Sequence, residues 1–479
     1  MAASANEAGQ NLSRNALIAL VIGSMVGSGI FALPAQFGRS TGALGAIIAW
    51  VIAGTGMLAL AFVFQSLSQR KPELDAGIYA YAKAGFGDYI GFASAVGYWI
   101  GCCLADVACL ILIKATLGQF FPVFGDGTTP TAIAVASLLL WSVHLLVLRG
   151  IKGAAALNTA ATFAKIIPIL LFIVVAVTAF DGGLFARNFW GTAQPDFGDV
   201  VTQVRSTMLL TVFVFVGIEG ASVYSRYASN RADIGIATVS GFLTVLCLLV
   251  LVTLLSYGVL SRPELADLPT PSMAGVMESI VGRWGSVFIS MALLIAILGN
   301  YLSWSLLAAE ILHSAAIQRT MPTFLASENA HKAPVGALWL TNSVIQAFLI
   351  VSWFAEYAFT LALKMTSAMT LIPYFLVAAY GLKLASSGEG YVASERARTV
   401  DGIGASIATL YAAGMIYAGG PKFLLLSAIL YAPGTLLFLI ARRERKERLF
   451  KPVESVLFGA LAIAAGAGIY GLAVGAISI

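Results

Sequence analysis

Long apolar runs follow one another along almost the whole chain, and nothing else in the sequence constrains the fold as much. About 20 mostly apolar residues suffice to cross a bilayer as a helix. In lipid, only helices and closed barrels satisfy every backbone N–H and C=O. Thirteen candidate spans are read, at about 15–37, 42–67, 88–121, 131–148, 155–180, 200–225, 236–260, 285–316, 335–354, 357–381, 402–419, 422–441 and 453–475. The expected fold class is therefore an all-α integral membrane protein of 12–13 transmembrane helices, forming one domain over 1–479. Charged residues are 11% of the chain, against about 25% in soluble proteins, and hydrophobic residues are 59%. A soluble protein could not cover itself with so few charges. The net charge of +5 is accordingly not read as a nucleic-acid footprint.

Lysine and arginine fall unevenly in the loops. With the N-terminus in the cytoplasm, the cytoplasmic side collects Arg70, Lys71, Lys83, Arg149, Lys152, Arg226, Arg319, Lys332 and the basic cluster 442–451, among others. The outside keeps only Arg39, Arg187, Arg205, Arg262, Arg283 and Lys422. That bias predicts a multi-pass inner-membrane protein with a cytoplasmic N-terminus. The 442–451 cluster reads most simply as a topology anchor. Residues 76–84 read as a short interfacial helix, and a short outward turn is expected near Glu356.

Two of the runs are interrupted. In the first, residues 23–31 (GSMVGSGIF) put three glycines and two serines where a membrane helix needs its firmest backbone. Glycine costs about 1 kcal/mol against alanine in a helix, so this run either packs closely against another helix or breaks to form a site. A second interruption, 214–222 (VFVGIEGAS), has Gly217 and Gly220 bracketing Glu219. Paired interruptions in two halves of a chain point to a transporter's binding site.

Ionisable residues within spans are expensive and face a cavity or a partner. They are Asp106 and Lys114 in the third run, Lys165 in the fifth, Glu219 in the sixth, Glu310 in the eighth and Lys364 in the tenth. Pairing of Asp106 with Lys114 or Lys364 is one alternative. Trp304 sits among small residues in LGNYLSWSLLAAE and either packs or stacks on a cation. His144 near a span end, and the four cysteines in apolar runs, read as packing residues. No catalytic constellation, metal-spaced cluster or cofactor motif is found, which disfavours an enzyme and predicts neither metal nor cofactor.

At these residues the chain resembles the amino acid–polyamine–organocation transporters, specifically the basic amino acid/polyamine antiporters. The likeness covers about 14–450 and is carried by GSMVGSGIFALP, GYWIG, LVLRGIKGAA, AKIIPIL, FVFVGIEGASVYS, TPSMAGV, HKAPVGALWLTN and IPYFLVAAYGLKLA. The resemblance implies a five-plus-five inverted-repeat bundle of the leucine-transporter type. Its repeats are 15–180 and 200–381, with additional C-terminal spans at 402–475. It implies that Gly27, Ser28 and Gly29 receive a substrate α-carboxylate, and that carbonyls around Val216 and Gly217 receive the α-ammonium. Glu219 and Phe213 stand at the family's sixth-span acid and aromatic, Trp304 at its guanidinium-stacking tryptophan, and Lys165 at a lysine that replaces a bound sodium. Two positions depart from the pattern. Asp106 stands where an asparagine is usual, and Lys364 where small polar residues are usual.

The expected function is exchange of small amino acids across the membrane by alternating access, with arginine entering against ornithine. A permease for neutral or acidic amino acids on the same scaffold is the alternative, favoured by Lys364. A channel is disfavoured, because no repeated filter or charged ring is present.

Overall fold

The computed structural model describes residues 14–74, 78–125, 127–149, 154–192, 196–219, 231–355, 357–391 and 395–477. Gly220, Lys152, Arg226 and the turn near Glu356 lie outside them. The described chain is helical, apart from one isolated antiparallel bridge between Glu328 and Pro334. In order the helices are α1 (Arg14–Met25), a 3-10 turn (Ser28–Ala32), α2 (Leu33–Ser40), α3 (Ala43–Arg70), α4 (Ile78–Phe86), α5 (Asp88–Gly118) and α6 (Pro130–Leu148). Then come α7 (Ala154–Thr178), α8 (Gly182–Arg187), α9 (Phe197–Phe213), α10 (Arg231–Ser256), α11 (Arg262–Asp267), α12 (Ser272–Val281) and α13 (Arg283–Ile317). The chain closes with α14 (Val335–Val351), α15 (Ala358–Ser387), α16 (Glu395–Glu444) and α17 (Pro452–Ala473).

Among the described residues, nine helices are long and apolar enough to cross a membrane, or ten if the bent pair Leu17–Met25 and Ser28–Ser40 is one span. That is fewer than the thirteen apolar runs. The sixth run stops being helical at Phe213, because the chain turns from 214 to 219. The fifth run forms α7, a helix of 25 residues. The eleventh and twelfth runs are joined in the 50 residues of α16, which bend at Gly420 (φ 76°, ψ 177°). A straight 50-residue helix would be about 75 Å long, more than twice the hydrocarbon core. Only glycine adopts that φ and ψ cheaply, so the bend falls between 402–419 and 422–441.

The chain forms two compact units. The first comprises 1–58, 108–137 and 153–303, and the second 59–107, 138–152 and 304–479. In the first unit, α1 packs along α10, and α2 along α9, α11 and α12. A buried aromatic row runs through it. Trp50 stacks on Phe37 at 5.2 Å and meets Phe215 edge-on at 6.1 Å, and Phe215 lies 5.1 Å from Phe242. One loop end is tied by polar contacts: Tyr257 Oη donates to the Thr41 carbonyl at 2.6 Å, and Arg262 to the carbonyls of Gly38 and Gly191.

In the second unit, α15 packs on α16 and on α4. The expected interfacial helix exists as α4, but Ile78, Tyr79, Ala80, Tyr81, Ala82 and Gly85 are buried and Tyr81 stacks on Tyr380 at 6.4 Å. The basic cluster also does more than carry charge. Arg442 is 5% exposed, lies over the Phe438 ring and pairs with Asp88 at 3.1 Å, Glu447 at 2.5 Å and Glu454 at 3.6 Å. It thereby clamps the start of α5 to the end of α16 and the start of α17.

Removing a buried cation leaves its carboxylates uncompensated, which costs about 3–5 kcal/mol for a fully buried pair and less where the partners reach solvent. Arg442→Ala is therefore expected to lose about 2–3 kcal/mol of stability, visible as an earlier thermal transition of the purified protein in detergent. The exposed Arg443→Ala is expected to leave that transition in place.

Candidate functional site

The first interruption is a true break. Helix α1 ends at Met25, Gly27 is extended (φ −101°, ψ −168°), and the backbone restarts as a 3-10 turn at Ser28. The two helical segments meet at 44°. The carbonyls that end α1 and the N–H groups that begin the Ser28 turn are the groups a helix cannot satisfy internally. The break therefore exposes partial negative charge on one side and partial positive charge on the other.

The second interruption lies against the first. Helix α9 ends at Phe213 and Gly217 takes φ 111°, open to glycine but strained for other residues. The Ser24 hydroxyl reaches the Gly217 carbonyl at 3.1 Å and its own helix at the Val21 carbonyl at 2.9 Å. A Cβ at Gly217 would come within 2.6 Å of the Ser24 carbonyl oxygen, and one at Gly29 within 2.7 Å of the Phe213 ring. Both glycines thus make room for the opposing segment. Glu219 is buried, and its Oε2 accepts the Gly217 N–H at 3.1 Å. Val216 is buried in the same turn.

Lys165 from α7 reaches the first of these breaks. It is 3% exposed, and its ammonium donates to the Gly23 carbonyl at 3.4 Å and to Asn300 Oδ1 at 3.3 Å. Asn300 on α13 donates from Nδ2 to Cys109 Sγ at 3.6 Å, and that sulfur lies 3.6 Å from Ser28 Oγ. The structure therefore gathers Gly27, Ser28, Gly29, Lys165, Phe213, Val216, Gly217 and Glu219 in the first unit. It adds two residues, Cys109, which the sequence reads as packing, and Asn300, which the sequence reading does not single out. Their signals were faint: an amide one turn before Trp304 in an apolar helix, and a thiol one turn after Asp106.

Asp106, Trp304 and Lys364 belong to the second unit. Asp106 is fully buried, and neither carboxylate oxygen has a hydrogen-bond partner among the described residues. The lysine pairing considered for it is not formed. Trp304 and Lys364 are half-buried on α13 and α15, and Glu310 is exposed. His144 is held by Asn342 at 3.0 Å between Trp141 and Trp339, consistent with packing. Among the described residues no group of three or more His, Cys, Asp or Glu could hold a metal ion.

Residues 12–433 match the family model described as amino acid permease. The chain is 52% identical over 472 residues to the arginine/ornithine antiporter of Pseudomonas aeruginosa, covering 97% of this chain and 98% of that protein. It is 40% identical over 485 residues to the L-lysine transport protein of Corynebacterium glutamicum, covering 98% and 97%. The arginine/agmatine antiporter of Chlamydia abortus is 37% identical over 453 residues, covering 93% and 92%.

The contact between the breaks makes Gly217 the most demanding position in the site. Gly217→Ala combines a positive φ with a clash against backbone and is expected to cost about 1–3 kcal/mol, measured as thermal stability in detergent. Gly404→Ala, where nothing lies within 4 Å of the added Cβ, is expected to be neutral or slightly stabilising.

Proposed function

The chain belongs to the amino acid permease family, and from that premise we propose that it exchanges basic amino acids, with arginine entering against ornithine by alternating access. The observation that carries the proposal is the joined pair of helix breaks with a buried ammonium behind them. A helix start at Ser28 offers N–H groups and a positive dipole end to an anion, which suits an α-carboxylate at Gly27, Ser28 and Gly29. The turn at Val216 and Gly217 offers carbonyls to an α-ammonium. Lys165 supplies a fixed positive charge where the last carbonyls of α1 end, the position in which a sodium-driven carrier would hold its cation.

For the cationic end of the substrate, the proposal takes Asp106, Glu219 and Trp304 from the family resemblance. A buried carboxyl without a hydrogen-bond partner is costly, and a guanidinium or ammonium would supply the missing donors to Asp106. Trp304 stacks on the same group, a contact worth about 0.5–2 kcal/mol. Phe213, half-buried beside Gly29, is assigned to closing the site. The substrates named for the three relatives are cationic at the side chain, which favours this reading over a carrier for neutral or acidic amino acids. In architecture we propose the inverted repeats 15–180 and 200–381 with further spans at 402–475, and a cytoplasmic N-terminus in a bacterial inner membrane.

The deciding experiment is counterflow in liposomes. Vesicles containing the protein and preloaded with ornithine are expected to take up labelled arginine, and empty vesicles are not. Lys364→Ser is expected to leave this exchange intact or faster, because it removes a positive charge. Exchange of a neutral or acidic amino acid by a protein that ignores arginine, ornithine and lysine would overturn the substrate assignment and leave the family standing.

Sodium tests the role of Lys165. Replacing sodium chloride by choline chloride at constant ionic strength is expected to leave the initial exchange rate unchanged. Hydrogen bonds to a charged group contribute about 1.5–3 kcal/mol, so Lys165→Ala is expected to slow exchange by about 10- to 100-fold. A steep sodium dependence of the native protein would contradict the assignment.

A further inference from the structure

Four side chains in the first unit form a chain of contacts from the ammonium of Lys165 to the hydroxyl of Ser28. The direction of its first two links follows from what each group can donate. An ammonium has three N–H donors and accepts nothing. Lys165 therefore requires the oxygen of the Asn300 amide, which turns the Nδ2 hydrogens toward Cys109. The sulfur accepts there, and between it and Ser28 Oγ, 3.6 Å away, either atom can donate; the thiol is taken as the donor. Once Ser28 Oγ accepts that proton, its O–H is free to point elsewhere. All four groups are deeply buried, with Ser28 and Lys165 each 3% exposed, Asn300 6% and Cys109 1%. Water therefore does not compete for the donors. Asn300 also lies directly against the break, because a Cβ at Gly27 would come within 3.6 Å of its Nδ2.

We infer that Asn300 and Cys109 are positioning residues that orient the Ser28 hydroxyl as a hydrogen-bond donor to the substrate carboxylate, each link being aligned by the Lys165 ammonium at the far end. The inference rests on the proposal that Gly27, Ser28 and Gly29 receive the α-carboxylate. Hydrogen bonds in series polarise one another, and a donor fixed before the ligand arrives costs no reorientation on binding. The same chain explains why Asn300 and Cys109, neither of which carries a charge, sit where α13 and α5 meet the first break. It also gives the buried lysine a route to the carboxylate other than direct contact.

The test is a set of mutant cycles on arginine affinity, read from inhibition of labelled ornithine exchange in liposomes. Ser28→Ala, Cys109→Ala and Asn300→Asp are each expected to weaken arginine inhibition about three- to tenfold. Asn300→Asp keeps the acceptor for Lys165 and the side-chain volume but removes the donor to sulfur. Cys109→Ser keeps both an acceptor and a donor, and is expected to stay within about twofold of the native protein. Because the two residues act through Ser28, Cys109→Ala and Asn300→Asp are expected to have no further effect in a Ser28→Ala background. A merely structural loss would instead add to it.

Additive losses, or native affinity in Cys109→Ala and Asn300→Asp while Ser28→Ala is impaired, would overturn the relay and leave the carboxylate assignment in place. Native arginine affinity in Ser28→Ala would remove the carboxylate assignment, and the relay with it. If Cys109→Ala does not reconstitute, Asn300→Asp carries the same comparison.

Discussion

A backbone carbonyl or N–H exposed to hydrocarbon has no water to turn to, and every unusual feature of this chain is an answer to that constraint. Breaking the first helix between Met25 and Ser28 frees polar groups in the middle of an apolar run. They are tolerated because the second break lies against them. The Ser24 hydroxyl reaches the Gly217 carbonyl, Lys165 takes the Gly23 carbonyl, and Glu219 takes the Gly217 N–H. The two breaks are therefore one structure, each making the other affordable, and the glycines at 29 and 217 are there to let them approach. On the proposed reading, the N–H end at Ser28 is what the substrate carboxylate takes up.

The same constraint separates structural charge from functional charge. Arg442 is buried but surrounded by carboxylates that answer it, and it holds three segments of the second unit together. Arg70 is similar, pairing with Asp401 at 2.8 Å under the Tyr391 ring. Asp106 differs, since it is fully buried and neither of its oxygens has a partner among the described residues. A group in that position gains most from a cation that comes and goes, which is why the proposed transport reading uses Asp106 and not the arginines.

Membership of the amino acid permease family and the geometry of the first unit bear on different questions. The family match and the relatives speak to the chain as a whole. The geometry speaks to single atoms, and it brings in two residues, Asn300 and Cys109, that a motif comparison does not single out. Both are uncharged and sit in runs where an amide or a thiol is unremarkable by itself.

By itself the sequence determined the class of fold and the place of the two helix breaks. Lipid leaves so few backbone options that apolar length predicts helices, and glycine and serine inside such a run mark a break. Lys165, Glu219 and Asp106 were legible for the same reason, because an ionisable residue in hydrocarbon needs a purpose. Only the tertiary structure decided the rest. That Gly420 joins two runs into one bent helix depends on a single backbone conformation. That Arg442 is a buried clamp rather than a loop charge depends on α5, α16 and α17 converging on it. That Asn300 and Cys109 connect Lys165 to Ser28 depends on four segments, distant in the chain, meeting within hydrogen-bond reach. Periodicity and composition describe a segment against its solvent, and they carry no record of which other segment it will touch.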